Sequence, residues 1–138
     1  QYLADYKVKI DQLILQEERS AYARLVALWQ AWIDDPCHND GGWAENCLIV
    51  KLAAEVSDLS EDMRQILNFG VSKLTERIAN LLSDGQQDGS IPQHIEPEKM
   101  AQTMYQLWLG AALLAKLAQN KQPLYLALET TQQLLKPI

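Results

Sequence analysis

The sequence is poor in the residues that build disulfide frameworks and metal centres. It has two cysteines, Cys37 and Cys47, and two histidines in 138 residues. Two cysteines are too few for a disulfide framework in a chain that is long enough to bury its own hydrophobic core. We therefore expect one globular domain over residues 1–138, in the reducing environment of the cytoplasm.

The sequence also lacks the long uninterrupted apolar run that a membrane-spanning helix requires. Its first ten residues, QYLADYKVKI, do not grade from basic to apolar as a signal peptide does. Acidic residues outnumber basic ones: the sequence has 18 Asp and Glu and 12 Lys and Arg, which gives a formal net charge of −6. Such a surface repels phosphate backbones, so we expect neither membrane insertion nor DNA binding by this chain alone.

Catalytic motifs are absent as well. The sequence has no His-Glu-x-x-His, no Gly-rich phosphate loop, no Gly-x-Ser-x-Gly and none of the Glu-x-x-His pairs of di-iron bundles. The nearest approach to a metal site is the run Asp-Pro-Cys-His that ends at His38, with Cys47 further on. Zinc accepts such ligands, but the proline-broken loop argues against their spacing. We predict no enzyme, no metal and no cofactor.

What the sequence does contain is helical periodicity. Apolar residues recur at spacings of three and four along most of its length, which predicts amphipathic helices. The pattern predicts helices over residues 3–15, 22–34, 44–56, 58–83, 97–119 and 123–136. Six helices without an alternating strand pattern indicate an all-α bundle.

Local signals place the ends of the fourth and longest helix. Asp58 and Glu61 resemble a capping box, in which one carboxylate accepts from free amides and the other reaches back to the cap. Gly85 and Gly89 are expected to end the helix in left-handed conformations. Gly70 lies in the middle, where glycine costs about 1 kcal/mol against alanine, and this predicts a close approach by another helix.

Cys47 carries the most reactive side chain of the sequence. It lies near the predicted start of the third helix, and Lys51 follows one turn later. A helix N-terminus and a lysine both lower the pKa of a thiol and so increase the thiolate fraction. Lys116, which interrupts the apolar stretch 107–118, is a second cation that could hold the thiolate. The alternative is that Cys47 is a small buried hydrophobe and Lys116 a solvent-facing lysine at the edge of an interface.

Aromatic side chains on the predicted helical stripes are candidates both for the core and for the wall of a pocket. A buried indole or phenol gives a cavity a rigid apolar wall with a single polar atom, as small-molecule sites commonly have. The candidate lining residues are Trp29, Trp32, Tyr105 and Trp108.

The last two predicted helices carry more apolar surface than one helix of a monomer needs. Burial against a second copy, in a four-helix interface, accounts for this surplus more simply than burial within one chain. The residues predicted for this dimer interface are Leu107, Gly110, Ala111, Leu114, Leu128 and Leu135.

Two stretches of the sequence resemble the C-terminal half of TetR-family transcriptional repressors. They are NCLIVKLAAEVSDLSEDMR, residues 46–64, and GSIPQHIEPEKMAQTMYQLWLGAALLAKLA, residues 89–118. Within that family they are most similar to the N-ethylmaleimide-responsive, electrophile-sensing subgroup. The resemblance implies a homodimeric effector-binding domain whose final two helices form the dimer interface. It also implies a separate N-terminal helix-turn-helix domain that reads operator DNA and that this chain does not contain.

The resemblance further assigns roles to individual residues. The reactive cysteine of the subgroup corresponds to Cys47, and a lysine of its later helix corresponds to Lys116. Related members carry another cysteine where this chain has Ser57, so a single-thiol mechanism is favoured over a disulfide. The function implied is release of DNA when electrophiles or oxidants modify Cys47. A non-covalent receptor for an aromatic or apolar molecule, and a helical scaffold without an effector, remain open alternatives.

Overall fold

The structure is a computed structural model that describes residues 19–34 and 60–136, together with the single residues Val8 and Glu55. These residues form four α-helices and no strand, which confirms the all-α prediction. The helices are α1 (Ala21–Ile33), α2 (Glu61–Asp88), α3 (Pro97–Ala118) and α4 (Gln122–Leu134). The predicted first and third helices lie outside the described residues, so the count of six stays a prediction. None of the described helices is long and apolar enough to cross a membrane.

The four helices enclose one hydrophobic core. α2 and α4 each pack against both α1 and α3, so every helix contributes an apolar stripe to the centre. Full burial of a Leu, Ile or Met side chain contributes about 1.5–3 kcal/mol, and this burial is the main source of stability. The most deeply buried side chains include Leu25, Trp29, Trp32, Ile78, Leu82, Met104, Trp108 and Leu124.

The first turn of α1 is capped partly by its own sequence. The hydroxyl of Ser20, the cap residue, accepts a hydrogen bond from the amide of Ala23 at 3.1 Å. The carbonyl of Ser20 accepts from the amide of Arg24 at 3.0 Å. A cap of this type typically stabilises a helix by about 1 kcal/mol.

The rest of the first turn of α1 is capped by the end of α2. Asp88 Oδ2 accepts from the amide of Ala21 at 2.8 Å, and Ser90 Oγ accepts from the amide of Tyr22 at 3.1 Å. Hydrogen bonding by Ser90, and next by the Ala21 amide, lowers the pKa of the Asp88 carboxyl. The fold therefore favours the ionised carboxylate. This stabilisation is present above the ordinary pKa of an aspartate and is lost as the pH falls through the lowered value.

The start of α2 differs from the prediction. Asp58 lies outside the described residues, but the cap is Ser60, whose hydroxyl accepts from the amide of Met63 at 3.2 Å. Glu61 is therefore the first helical residue and not the third, so it does not reach back as a capping box requires. It accepts instead from Arg64 Nε at 2.9 Å, and this hydrogen bonding lowers the pKa of Glu61 to about 2.

The end of α2 also differs from the prediction. The helix continues through Gly85 to Asp88, and only Gly89 is left-handed, with φ 83°. Gly85 stays helical because the side chain of Ile91 folds back onto it and fills the space where a Cβ would be. The amide of Ile91 also donates to the carbonyl of Gly85 at 3.0 Å. Gly85, which the sequence predicted to end the helix, is instead a helical residue on which Ile91 packs.

Gln86 fastens the loop between α2 and α3 to the body of α2. Its side-chain Nε2 donates to the carbonyl of Ile95 at 2.6 Å and to that of Pro92 at 3.1 Å. In return, Gln93 Nε2 donates to the carbonyl of Gln86 at 2.5 Å. Because these bonds fix the loop at several points, they set the angle at which α3 leaves α2.

The close approach predicted at Gly70 is wrong for the described part of the chain. A Cβ built on Gly70 meets no heavy atom within 4 Å, whereas one built on Gly85 lies 2.6 Å from Ile91 Cγ1. The two glycines share one helix but have opposite surroundings.

We expect the variants Gly85→Ala and Gly70→Ala to change the free energy of unfolding in opposite directions. At Gly85 the new methyl group displaces Ile91 and should destabilise the protein by about 1–3 kcal/mol. At Gly70 there is room for the methyl group, and alanine in a helix interior should stabilise by about 0.5–1 kcal/mol. Urea denaturation measures both changes. Equal changes in the two variants would contradict the role assigned to Ile91.

Candidate functional site

Three tryptophans form a buried aromatic cluster between α1 and α3. Trp29 of α1 stacks on Trp108 of α3, with ring centroids 4.6 Å apart and planes 4° from parallel. Trp32, one turn after Trp29, meets it edge to face at 5.9 Å. The three side chains are 0–1% exposed. Each such ring pair adds about 0.5–1.5 kcal/mol to the stabilisation from burial alone.

α4 completes this cluster through a buried threonine. Trp108 Nε1 donates to Thr131 Oγ1 at 2.9 Å, and that hydroxyl donates to the carbonyl of Ala127 at 2.8 Å. Thr131 is 0% exposed, and the sequence analysis missed it. It lies on the apolar stripe of α4 with Leu124 and Leu135. A polar residue on such a stripe needs a buried partner, which was the available signal.

The indole of Trp29 has no comparable partner. Its Nε1 is buried and makes no hydrogen bond to any residue in the described ranges. Tyr105, one turn before Trp108 on α3, is buried in the same hydrophobic core. All four residues predicted to line a pocket therefore lie in the core, and two of them, Trp29 and Trp108, stack directly.

Lys116 lies at the exposed C-terminal end of α3. It lines an open groove of about 450 Å³ between the last turn of α3 and the first turn of α4. Lys121, on the same groove, places its ammonium group 3.8 Å from the carboxylate of Asp34 at the end of α1. Cys47 and Lys51 lie outside the described residues. Within the described ranges, no group of three metal-binding side chains is present.

The outer surface of α3 and α4 carries several exposed leucines. Leu114, Leu117 and Leu126 are 57%, 73% and 64% exposed. Of these three, only Leu114 was among the residues predicted for a dimer interface. Of the others predicted, Gly110 is exposed and Leu107 and Leu128 are half-buried. Ala111 and Leu135 are buried in the core of this chain, so they offer little area to a partner.

The variant Thr131→Val tests the link between α3 and α4. Valine has nearly the shape of threonine but leaves the buried Trp108 N–H without an acceptor, which should cost about 1–3 kcal/mol of unfolding free energy. Thr130→Val is the matched control, because Thr130 is only half-buried, and it should change stability by less than about 0.5 kcal/mol. Urea denaturation compares them. Equal stability of the two variants would show that the hydrogen bond contributes nothing measurable.

The chain is similar in sequence to a family of transcriptional regulators and to individual members of it. Residues 21–131 match the family described as "Tetracyclin repressor-like, C-terminal domain". The chain is 35% identical over 127 residues to the HTH-type transcriptional repressor NemR of Escherichia coli K12, which is 92% of this chain and 63% of NemR. It is 30% identical over 80 residues to the HTH-type transcriptional repressor DhaR of a Mycobacterium species, covering 58% of this chain and 40% of that protein.

Solved structures show the same likeness in three dimensions. The crystal structure of a TetR/AcrR-family transcriptional regulator superimposes with a TM-score of 0.84 at 47% identity, covering 98% of this chain and 69% of that one. The reduced form of E. coli NemR superimposes with a TM-score of 0.83 at 34% identity, covering 97% and 68%. The chain spans less than two thirds of the length of the curated relatives it matches. It belongs to the tetracycline-repressor-like C-terminal domain family.

Proposed function

We propose that the chain is the effector-sensing and dimerisation domain of a TetR-like transcriptional repressor. Electrophiles or oxidants modify Cys47, and a helix-turn-helix domain outside this chain then releases operator DNA. The observation that carries the proposal is the likeness in both sequence and fold to a protein named as a repressor, over nearly the whole of this chain. The described residues supply a rigid helical core on which such a sensor can act.

The chemistry of the sequence around Cys47 supports it as the sensor. A thiol near a helix N-terminus, with Lys51 one turn later, has a larger thiolate fraction than a free cysteine. With an activated alkene such as N-ethylmaleimide, the thiolate sulfur bonds to one alkene carbon as the C=C π bond breaks, and the neighbouring carbon then takes a proton from water. The modified side chain then repacks its helix against its neighbours, and the predicted first helix carries the shift to the DNA-binding domain. Lys116, exposed on its groove, is the second candidate partner of the thiolate.

Limiting N-ethylmaleimide should label Cys47 before Cys37, as read by peptide mass spectrometry. Replacement of Lys51 by glutamine removes the ammonium group, so it should raise the thiol pKa and slow labelling several-fold at neutral pH. Cys37→Ser is the control and should leave the rate unchanged, whereas Cys47→Ser should abolish the fast phase. Labelling of Cys37 alone would overturn the assignment.

The proposed dimer interface is the outer surface of α3 and α4. Two antiparallel helices from each copy would form a four-helix interface, and this would bury Leu114, Leu117 and Leu126 together. The exposure of these leucines on two helices that pack against each other supports the proposal, because exposed apolar side chains grouped on one part of a surface can mark a site of association.

The variant Leu114→Glu should convert the dimer to a monomer in sedimentation equilibrium. Leu114 is 57% exposed, so a carboxylate there leaves the fold of one copy intact but places a charge in the interface. Ile66→Glu is the matched control, because Ile66 is 53% exposed on α2, away from the proposed interface. A monomeric wild-type chain, or a Leu114→Glu variant that remains dimeric, would contradict the proposal.

A non-covalent receptor is the second candidate function. It is favoured by the buried aromatic cluster, in which stacked indoles provide the rigid apolar surface that small aromatic molecules pack against. In this case Cys47 would serve as a contact residue, and ligand binding would persist in Cys47→Ser.

A further inference from the structure

The hydrogen-bonding of two stacked tryptophans is unequal. Trp108 and Trp29 lie face to face in the same cluster, and both are 0% exposed. The N–H of Trp108 is bonded to Thr131, whereas the buried N–H of Trp29 has no acceptor among the described residues. The two rings are equally buried, so the tryptophans differ in the hydrogen bonding of their N–H groups and not in their burial.

A buried donor without an acceptor destabilises a fold, because it has lost its hydrogen bond to water and gained none. Phenylalanine at position 29 would keep a stacked ring and avoid that loss. Native proteins leave few such groups, and an isolated one calls for an explanation, such as a use in binding. Since no described residue supplies this acceptor, the N–H of Trp29 points to one that is brought by a bound molecule.

The chemistry of the donor defines the acceptor. An indole N–H donates one hydrogen bond and accepts none, so it recognises an oxygen or nitrogen lone pair. The rings around it are apolar, and one neutral donor does not offset the burial of a full charge. The matching molecule is therefore neutral, largely apolar and flat enough to pack among indoles, with a carbonyl oxygen at one end.

We propose that the Nε1–H of Trp29 is the hydrogen-bond donor for a carbonyl-bearing apolar effector of this domain. The inference rests on the proposed function, because it takes the core to be the place where an effector is read. It adds a residue and a ligand class to that function. It also separates recognition, by Trp29, from any covalent step at Cys47.

A matched pair of probes tests the proposal on the intact chain. Acetophenone has a carbonyl oxygen, and α-methylstyrene has a methylene group in its place with nearly the same shape. By isothermal titration calorimetry, the wild type should bind acetophenone roughly five- to tenfold more tightly than α-methylstyrene. Trp29→Phe should bind the two probes alike. A preference for acetophenone in Trp29→Phe that is as large as in the wild type, or no preference or no binding in the wild type, overturns the proposal.

A second measurement is made by NMR on the wild type, so no variant has to bind a ligand. The indole N–H resonance of Trp29, assigned by its loss in Trp29→Phe, should move downfield when acetophenone is added and stay in place with α-methylstyrene. Without any ligand, Trp29→Phe and Trp108→Phe both remove part of a fully buried ring and leave a cavity, so both should melt below the wild type. Trp29→Phe should melt above Trp108→Phe, because only Trp108→Phe also loses a hydrogen bond. A Trp29→Phe variant that is as destabilised as Trp108→Phe would show that the donor is already satisfied.

These results are distinguishable from a failure of the proposed function. Acetophenone does not alkylate thiols, so its binding should be unchanged in Cys47→Ser. Loss of the ketone preference with intact labelling of Cys47 by N-ethylmaleimide overturns only the role of Trp29. Absence of that labelling with an intact ketone preference overturns only the covalent sensor.

Discussion

The position of Trp108 is the constraint on which the rest of the described structure depends. One face of its ring stacks on Trp29 of α1, and its N–H is bonded to Thr131 of α4, so a single side chain of α3 fixes two other helices. The stacking energy depends on the area of contact between the rings, so it tolerates small shifts of one helix against the other. The hydrogen bond is directional and does not tolerate them, because a small rotation of α4 would leave the buried N–H of Trp108 unpaired.

The turn after α2 provides the second fixed point. Ile91 packs directly on Gly85, and Gln86 holds the following loop by its carbonyls. Asp88 and Ser90 then cap the first turn of α1 from outside its own sequence. The start of α1 is therefore attached to the α2–α3 connection. A structural change that enters α1 at its N-terminus meets this attachment before it reaches the tryptophan cluster.

The described part of the chain separates three surfaces by their chemistry. The core is aromatic, with one indole donor of Trp29 left without an acceptor. The outer surface of α3 and α4 carries exposed leucines, and it is the surface proposed to bind a second copy of the chain. The groove beside Lys116 is open and carries amines. Each surface supports a different part of the proposed function, so variants on one can be measured without disturbing the others.

The sequence by itself determined the four described helices, because periodic apolar residues and caps such as Ser20 act within one or two turns. It also determined that the three tryptophans are buried, since each lies on an apolar stripe. Only the tertiary structure decided what each stripe touches. The bond from Ala21 to Asp88 joins positions 67 residues apart, and the bond from Trp108 to Thr131 joins positions 23 apart. Periodicity identifies a buried face without identifying its partner, and for that reason Gly85 was read as a terminator and Thr131 was missed.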